Sequence, residues 1–224
     1  MISDGITARA FHQAAGTGDW RVVGDGACAF FRTSSLRESA RLVAAIGEIS
    51  GADDHPPDLD VRTRGVTVRL LTRSEEWYGM SQRDVEVARA ISGAARELGL
   101  AADPTEIQSM LIVPGARDPA EVMPFWQAAL GYDRRPDSPD EDLVDPRDRL
   151  PAFWFEEMQE PRGGEGGGAI HVAVWLPLER AEARVRAALA AGGHVVRDDR
   201  APMWWTLADA AGNEVDISTV ENRD

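Results

Sequence analysis

Leu59-Asp60-Val61-Arg62-Thr63-Arg64-Gly65-Val66-Thr67-Val68-Arg69-Leu70 sets the pattern of the first half of the chain. Strand side chains alternate between faces, so Leu59–Arg62 and Val66–Thr72 predict two strands, with Val66, Val68 and Leu70 on one face of the second. Upstream, Trp20–Val23 and Ala27–Arg32 predict a hairpin around Gly24-Asp25-Gly26. Ser35 caps an expected helix over Leu36–Ser50, with Leu36, Ala40, Val43 and Gly47 on one face. Downstream, Ser81 opens a helix whose Val85, Ala88 and Ile91 share a stripe. The order helix, two strands, helix, two strands, helix gives an α+β class with an antiparallel sheet and helices on one face.

Ala101–Pro104 reads as a linker, which divides the chain into residues 1–102 and 105–224. Beyond it Glu106–Val113 is an expected strand, and Asp118 caps a helix ending at Leu130 with Gly131 behind it. Shorter strands follow, the last over Ala152–Met158. After a flexible Gly163–Gly168 loop come a strand over Ile170–Leu176 and a helix over Leu178–Ala191. Three more strands are expected near His194–Arg197, Trp204–Ala208 and Glu214–Thr219. Strand, helix and three strands thus occur twice, an internal repeat of shape.

The 224 residues carry a net charge of −14, and arginine supplies every cation because lysine is absent. An acidic chain without a basic stripe is a poor partner for nucleic acid. Without lysine there is no Schiff-base chemistry and no phosphate-loop lysine. No apolar run reaches the roughly 20 residues of a membrane span, and the first residues lack a secretory pattern. Cys28 stands alone, which fits a reducing compartment and gives the cytoplasm as the expected location.

Asp54-His55-Pro56-Pro57-Asp58-Leu59-Asp60-Val61-Arg62, Gly65-Val66-Thr67-Val68-Arg69-Leu70 and Ser81-Gln82-Arg83-Asp84 resemble pterin-4a-carbinolamine dehydratases over roughly residues 5–100. The resemblance implies dehydration of a 4a-hydroxytetrahydropterin without metal or bound cofactor, with His55 and Asp84 at catalytic positions. Histidine suits proton transfer because it titrates near neutrality. The family carries three histidines. In the ungapped register His55 takes the first position, while Pro56, Thr63 and Arg73 replace the second histidine, an aromatic residue and the third histidine. A one-residue slip makes His55 the second and Asp54 the first. Either way one histidine survives. Ser81-x-x-Asp84 is also a helix-capping pattern.

Asp118-Pro119 through Phe125-Trp126 and Leu130-Gly131-Tyr132, then Ile170-His171-Val172-Ala173-Val174-Trp175, then the run Leu207–Val215, are similar to glyoxalase-like members of the vicinal oxygen chelate superfamily. The resemblance implies paired βαβββ modules around one cavity and one divalent metal ion. His171 and Glu214 match the ligand positions, Gln108 is the first-strand candidate ligand, and Glu156 is a further ligand or proton acceptor. Trp154, Trp175, Trp204 and Trp205 either line the cavity or fill the core. Both resemblances imply a small-molecule ligand and a homo-oligomer. Three functional classes follow: a pterin dehydratase, a metal-dependent enzyme of the C-terminal half, and a non-catalytic small-molecule binder.

Overall fold

The computed structural model describes residues 5–49, 51–52, 54–158, 169–208, 210 and 212–223. The expected Gly163–Gly168 loop lies outside them, as do Asp209 and Ala211 of the turn before Glu214. The chain divides into two compact units, Met1–Ile107 and Gln108–Asn222.

In the first unit the elements run β1 (Gly5–Ile6), α1 (Ala8–Gln13), β2 (Arg21–Val23), β3 (Gly26–Arg32), α2 (Leu36–Gly47), β4 (Asp58–Arg62), β5 (Gly65–Leu70), β6 (Thr72–Arg73), β7 (Tyr78–Ser81) and α3 (Gln82–Glu97). Strands β2-β3-β5-β4 form an antiparallel sheet. Its pairs Ala27–Leu70, Ala29–Val68 and Phe31–Val66 are all buried, as alternation predicts. Leu42 and Ile46 of α2 and Val85, Ala88 and Ile91 of α3 complete this core. Trp20 closes it, its ring edge-on to Phe31 and its Nε1–H donated to Ser92 over 3.0 Å.

Three differences from the sequence reading are informative. Helix α2 buries Ser39, Leu42 and Ile46, while Leu36 is exposed. The stripe is rotated from the expected one because Leu42 and Ile46 offer more apolar area than Ala40 and Gly47. A small second sheet, β1-β7-β6, was not expected, since its strands are too short for alternation to show. The expected linker residues are pinned to β3: Arg32 N–H donates to Ala101 O and Asp103 N–H to Phe30 O. Asp103 then caps a single 3₁₀ turn, Pro104–Glu106. The Thr105 hydroxyl and the Arg32 guanidinium hold its carboxyl down at about 2.

The second unit runs β8 (Ser109–Ala116), α4 (Pro119–Leu130), β9 (Asp133–Arg134), β10 (Asp142–Val144), β11 (Ala152–Trp154), β12 (Glu156–Glu157), β13 (Ala169–Trp175), α5 (Leu178–Ala190), β14 (His194–Arg197), β15 (Trp204–Ala208) and β16 (Glu214–Ser218). They form one mixed sheet, β14-β15-β16-β13-β8-β11-β10-β9, with β12 also on β8. The repeat seen in the sequence is therefore the architecture. Strands β8 and β11 pair in parallel, as do β13 and β16, and the two halves meet in the antiparallel β8–β13 pair. Asp118 caps α4, its Oδ1 accepting Ala120 N–H at 2.9 Å, and Gly131 ends it in the left-handed region at φ 64°.

The two sheet faces differ. Ile112, Phe153 and Phe155 pack with Met123, Trp126 and Leu130 on the α4 side. Val174, Trp205, Leu207, Val215 and Ile217 pack with Ala181, Val185 and Leu189 on the α5 side. Alternation sends His171, Ala173, Glu214 and Asp216 to the opposite face. Among the described residues no helix is long and apolar enough to cross a membrane.

Two expectations follow. Burial pushes the Asp145 carboxyl up. The N–H groups of Arg147, Arg149 and Leu150 and the Arg147 guanidinium outweigh that and hold it below the usual carboxylate range. A depressed folded-state value stabilises above the ordinary value near 4 and is lost as pH falls through the folded one. Urea titrations should therefore show Asp145→Asn destabilised at pH 7, with the gap to wild type closing below about pH 4. Burial also pushes the Cys28 thiol up to about 11. At pH 8 its thiolate is rarer than that of a free cysteine, so modification by Ellman's reagent should be roughly 100-fold slower in the folded protein than in denaturant.

Candidate functional sites

The N-terminal site is built on a carboxylate. Asp84, at the start of α3, is fully buried. Its Oδ2 accepts the Ser81 N–H at 2.7 Å and lies 2.8 Å from Ser81 Oγ and 2.7 Å from Thr72 Oγ1. Thr72 and Ser81 are themselves 2.7 Å apart, so two hydroxyl hydrogens serve three close oxygen contacts. The capping role foreseen for Ser81 and Asp84 is real, and it consumes only one carboxylate oxygen. The other, Oδ1, lies 2.7 Å from His55 Nε2.

His55 and Asp84 therefore meet, although 29 residues separate them. An ionised carboxylate only accepts, so beside one the hydrogen sits on Nε2, and Nδ1 is the ring nitrogen turned away from Asp84. The His55 side chain keeps 13% of its surface exposed, while that of Asp84 keeps none. Solvent can reach the imidazole but not the group that orients it. Thr72 was missed by sequence reasoning, because only the β6–β7 pairing, Thr72 opposite Gly79, brings it to the carboxylate. Arg73 is directed elsewhere, with Nη2 3.2 Å from Asp58 Oδ2 and the guanidinium 5.8 Å from the Tyr78 ring centre.

The second unit places its candidates differently. His171 is buried, opposite Val113 on β8, and its Nε2 lies 3.2 Å from Asp216 Oδ2. Thr206, opposite Asp216 on β15, donates its hydroxyl to Asp216 Oδ1 at 2.6 Å. Val172 pairs with Val215, so Glu214 occupies the position beside His171 on the same face. Glu156, opposite Gly115 on β12, shares that face too. Gln108 does not: β8 starts at Ser109, and the Gln108 amide oxygen accepts from Arg184 of α5 at 3.0 Å.

A divalent ion needs several converging donors about 2.0–2.2 Å from it. Among the described residues no group of three or more His, Cys, Asp or Glu side chains is placed to hold one. His171 Nε2 already faces a carboxylate, and Gln108 is held on the helix side. Among the described residues the donor set expected from the resemblance does not assemble. Of the four tryptophans, Trp205 packs in the core beside α5. Trp175 and Trp204 flank Ser218 on the His171 face, and Arg197 and Arg200 lie 5.9 and 6.0 Å from the Trp204 ring centre.

Comparison with known proteins agrees with this division. The family model for pterin 4 alpha carbinolamine dehydratase matches residues 4–94, and that for a glyoxalase-like domain matches residues 109–218. A pterin-4-alpha-carbinolamine dehydratase-type protein of Nocardia farcinica is 35% identical over 96 residues, 43% of this chain and 96% of its own length. Counterparts in Mycolicibacterium vanbaalenii and Mycobacterium avium are 40% and 45% identical over 60 and 59 residues, 27% and 26% of this chain. The chain spans 62% and 61% of the length of those two relatives. A solved chain described as an NAD-dependent benzaldehyde dehydrogenase from Legionella pneumophila reaches a TM-score of only 0.36 at 11% identity, over 49% of this chain and 97% of that one. Through residues 4–94 the chain belongs to the pterin 4 alpha carbinolamine dehydratase family, and it carries a glyoxalase-like domain over residues 109–218.

Proposed function

We propose that the first unit is a carbinolamine dehydratase site reduced to one proton-transferring group, His55, held by Asp84. The observation that carries this reading is the 2.7 Å contact between His55 Nε2 and the buried Asp84. In the reaction, N5 of the 4a-hydroxytetrahydropterin loses its proton, the C4a–O bond breaks, and an N5–C4a double bond forms as water leaves. His55 takes or delivers the proton through Nδ1. The family's other histidine positions offer no second shuttle here, since proline has no titratable group and arginine keeps its proton. A positioned acid–base group contributes about 10²–10⁴-fold, so losing such groups makes a slow lyase.

For the second unit the reading is small-molecule binding on the sheet face of His171. An alternative in which this face performs metal-assisted chemistry finds support in the resemblance alone. A lone cysteine supports a reducing, cytoplasmic setting, and both families support self-association.

Stopped-flow measurement with the 4a-hydroxy pterin tests the first reading. The rate should fall more than tenfold short of a three-histidine relative, and His55→Ala should lower it by about 100-fold or more. Asp84→Asn should also slow it, with thermal melting run alongside because α3 loses its cap. A dehydration rate that His55→Ala leaves unchanged would show that the chemistry lies elsewhere. Light scattering at micromolar concentration should give a mass above the 24.4 kDa of one chain, and a monomer throughout would remove the assembly proposal.

A further inference from the structure

His171 Nδ1 is buried and meets no hydrogen-bond partner among the described residues. It is the one such side-chain nitrogen or oxygen found among them, on a side chain that keeps 3% of its surface exposed. The row around it fixes its chemistry. Thr206 donates to one oxygen of Asp216, and the other oxygen faces His171 Nε2. An ionised carboxylate 3.2 Å from Nε2 can accept but not donate, which favours the Nε2–H tautomer and leaves a lone pair on Nδ1. A buried acceptor without a donor is a standing cost that proteins rarely carry outside functional sites.

We propose that the His171 face of the second unit is a metal-independent site for a small molecule that presents an N–H or O–H donor to His171 Nδ1. Asp216 and Thr206 act as positioning residues. The neighbours fit such a guest. Ala173, next on the same face, adds no bulk beside His171, and Val113 opposite it is apolar. The offset that sets Phe153 against Ile112 and Glu156 against Gly115 sets Trp154 beside Val113, two strands from His171, with over a third of its surface exposed. An aromatic flank and a buried acceptor, with the Glu156 and Glu214 carboxylates on the same face, select planar donor-bearing molecules over anions.

The inference rests on the reading that this face binds a small molecule, and two measurements separate their failures. Nitrogen-15 spectra of histidine-labelled protein read the residue itself. His171 should show a proton on Nε2, none on Nδ1, and no saturable change with one equivalent of Zn²⁺. A proton on Nδ1, or a stoichiometric Zn²⁺ shift, overturns the proposal while leaving a ligand site intact. Matched fragment pairs then read the face: indole against 1-methylindole, and phenol against anisole. The donor-bearing member of at least one pair should bind about 5- to 150-fold more tightly, the range for an unpaired buried acceptor. His171→Phe should erase that difference in a protein that still melts cooperatively. Equal binding within both pairs, or none by any of the four, overturns the proposal and the ligand reading together.

Discussion

A carboxylate removed from water must be given donors, and three buried or half-buried aspartates impose that requirement on the rest of the molecule. Asp84 gathers Ser81, Thr72 and His55, and so ties the β6–β7 hairpin, the start of α3 and an irregular proline-rich turn to one point. Asp145 organises the loop between β10 and β11 through three backbone N–H groups and one guanidinium. Asp216 joins β15 to β13 through Thr206 and His171. In each case the acid fixes geometry because leaving either oxygen bare is costlier than ordering the chain around it. Both candidate sites are by-products of this rule. A histidine is the donor that also has chemistry to offer.

The two histidine–aspartate pairs differ where function would need them to. The His55 side chain keeps 13% of its surface exposed to solvent, whereas that of His171 keeps 3%.

Much of this was legible in the sequence, and the misses have physical causes. Alternation located β3 and β5 because each carries a full set of apolar residues on a buried face, and β13 and β16 because their apolar residues alternate with polar or small ones even where burial is partial. Ser81-x-x-Asp84 announced its cap, since that contact spans three residues. Helix α2 misled because Leu36 looks like a core residue at the end of a helix that leaves it in solvent. Glu214 drew notice over Asp216 because choosing between neighbours on one strand face depends on sheet register, which is a property of two strands. Gln108 failed for the same kind of reason. Asp103 opens a 3₁₀ turn over Pro104–Glu106, the strand begins only at Ser109, and the Gln108 amide between them accepts from Arg184. Thr72 needed a two-residue strand to be recognised, below what periodicity can register.

The β8–β13 seam has an ancestral implication. Within each half the first strand pairs in parallel with a later one, and the halves touch edge to edge along their first strands. Either half alone would present a bare strand edge, a shape that a second identical copy could cover by the same antiparallel pairing. Fusing two such copies turns a concentration-dependent partnership into a permanent one. It also frees the halves to diverge, so that a histidine and its supporting acid can be kept on one side of the seam while the strand facing them stays apolar.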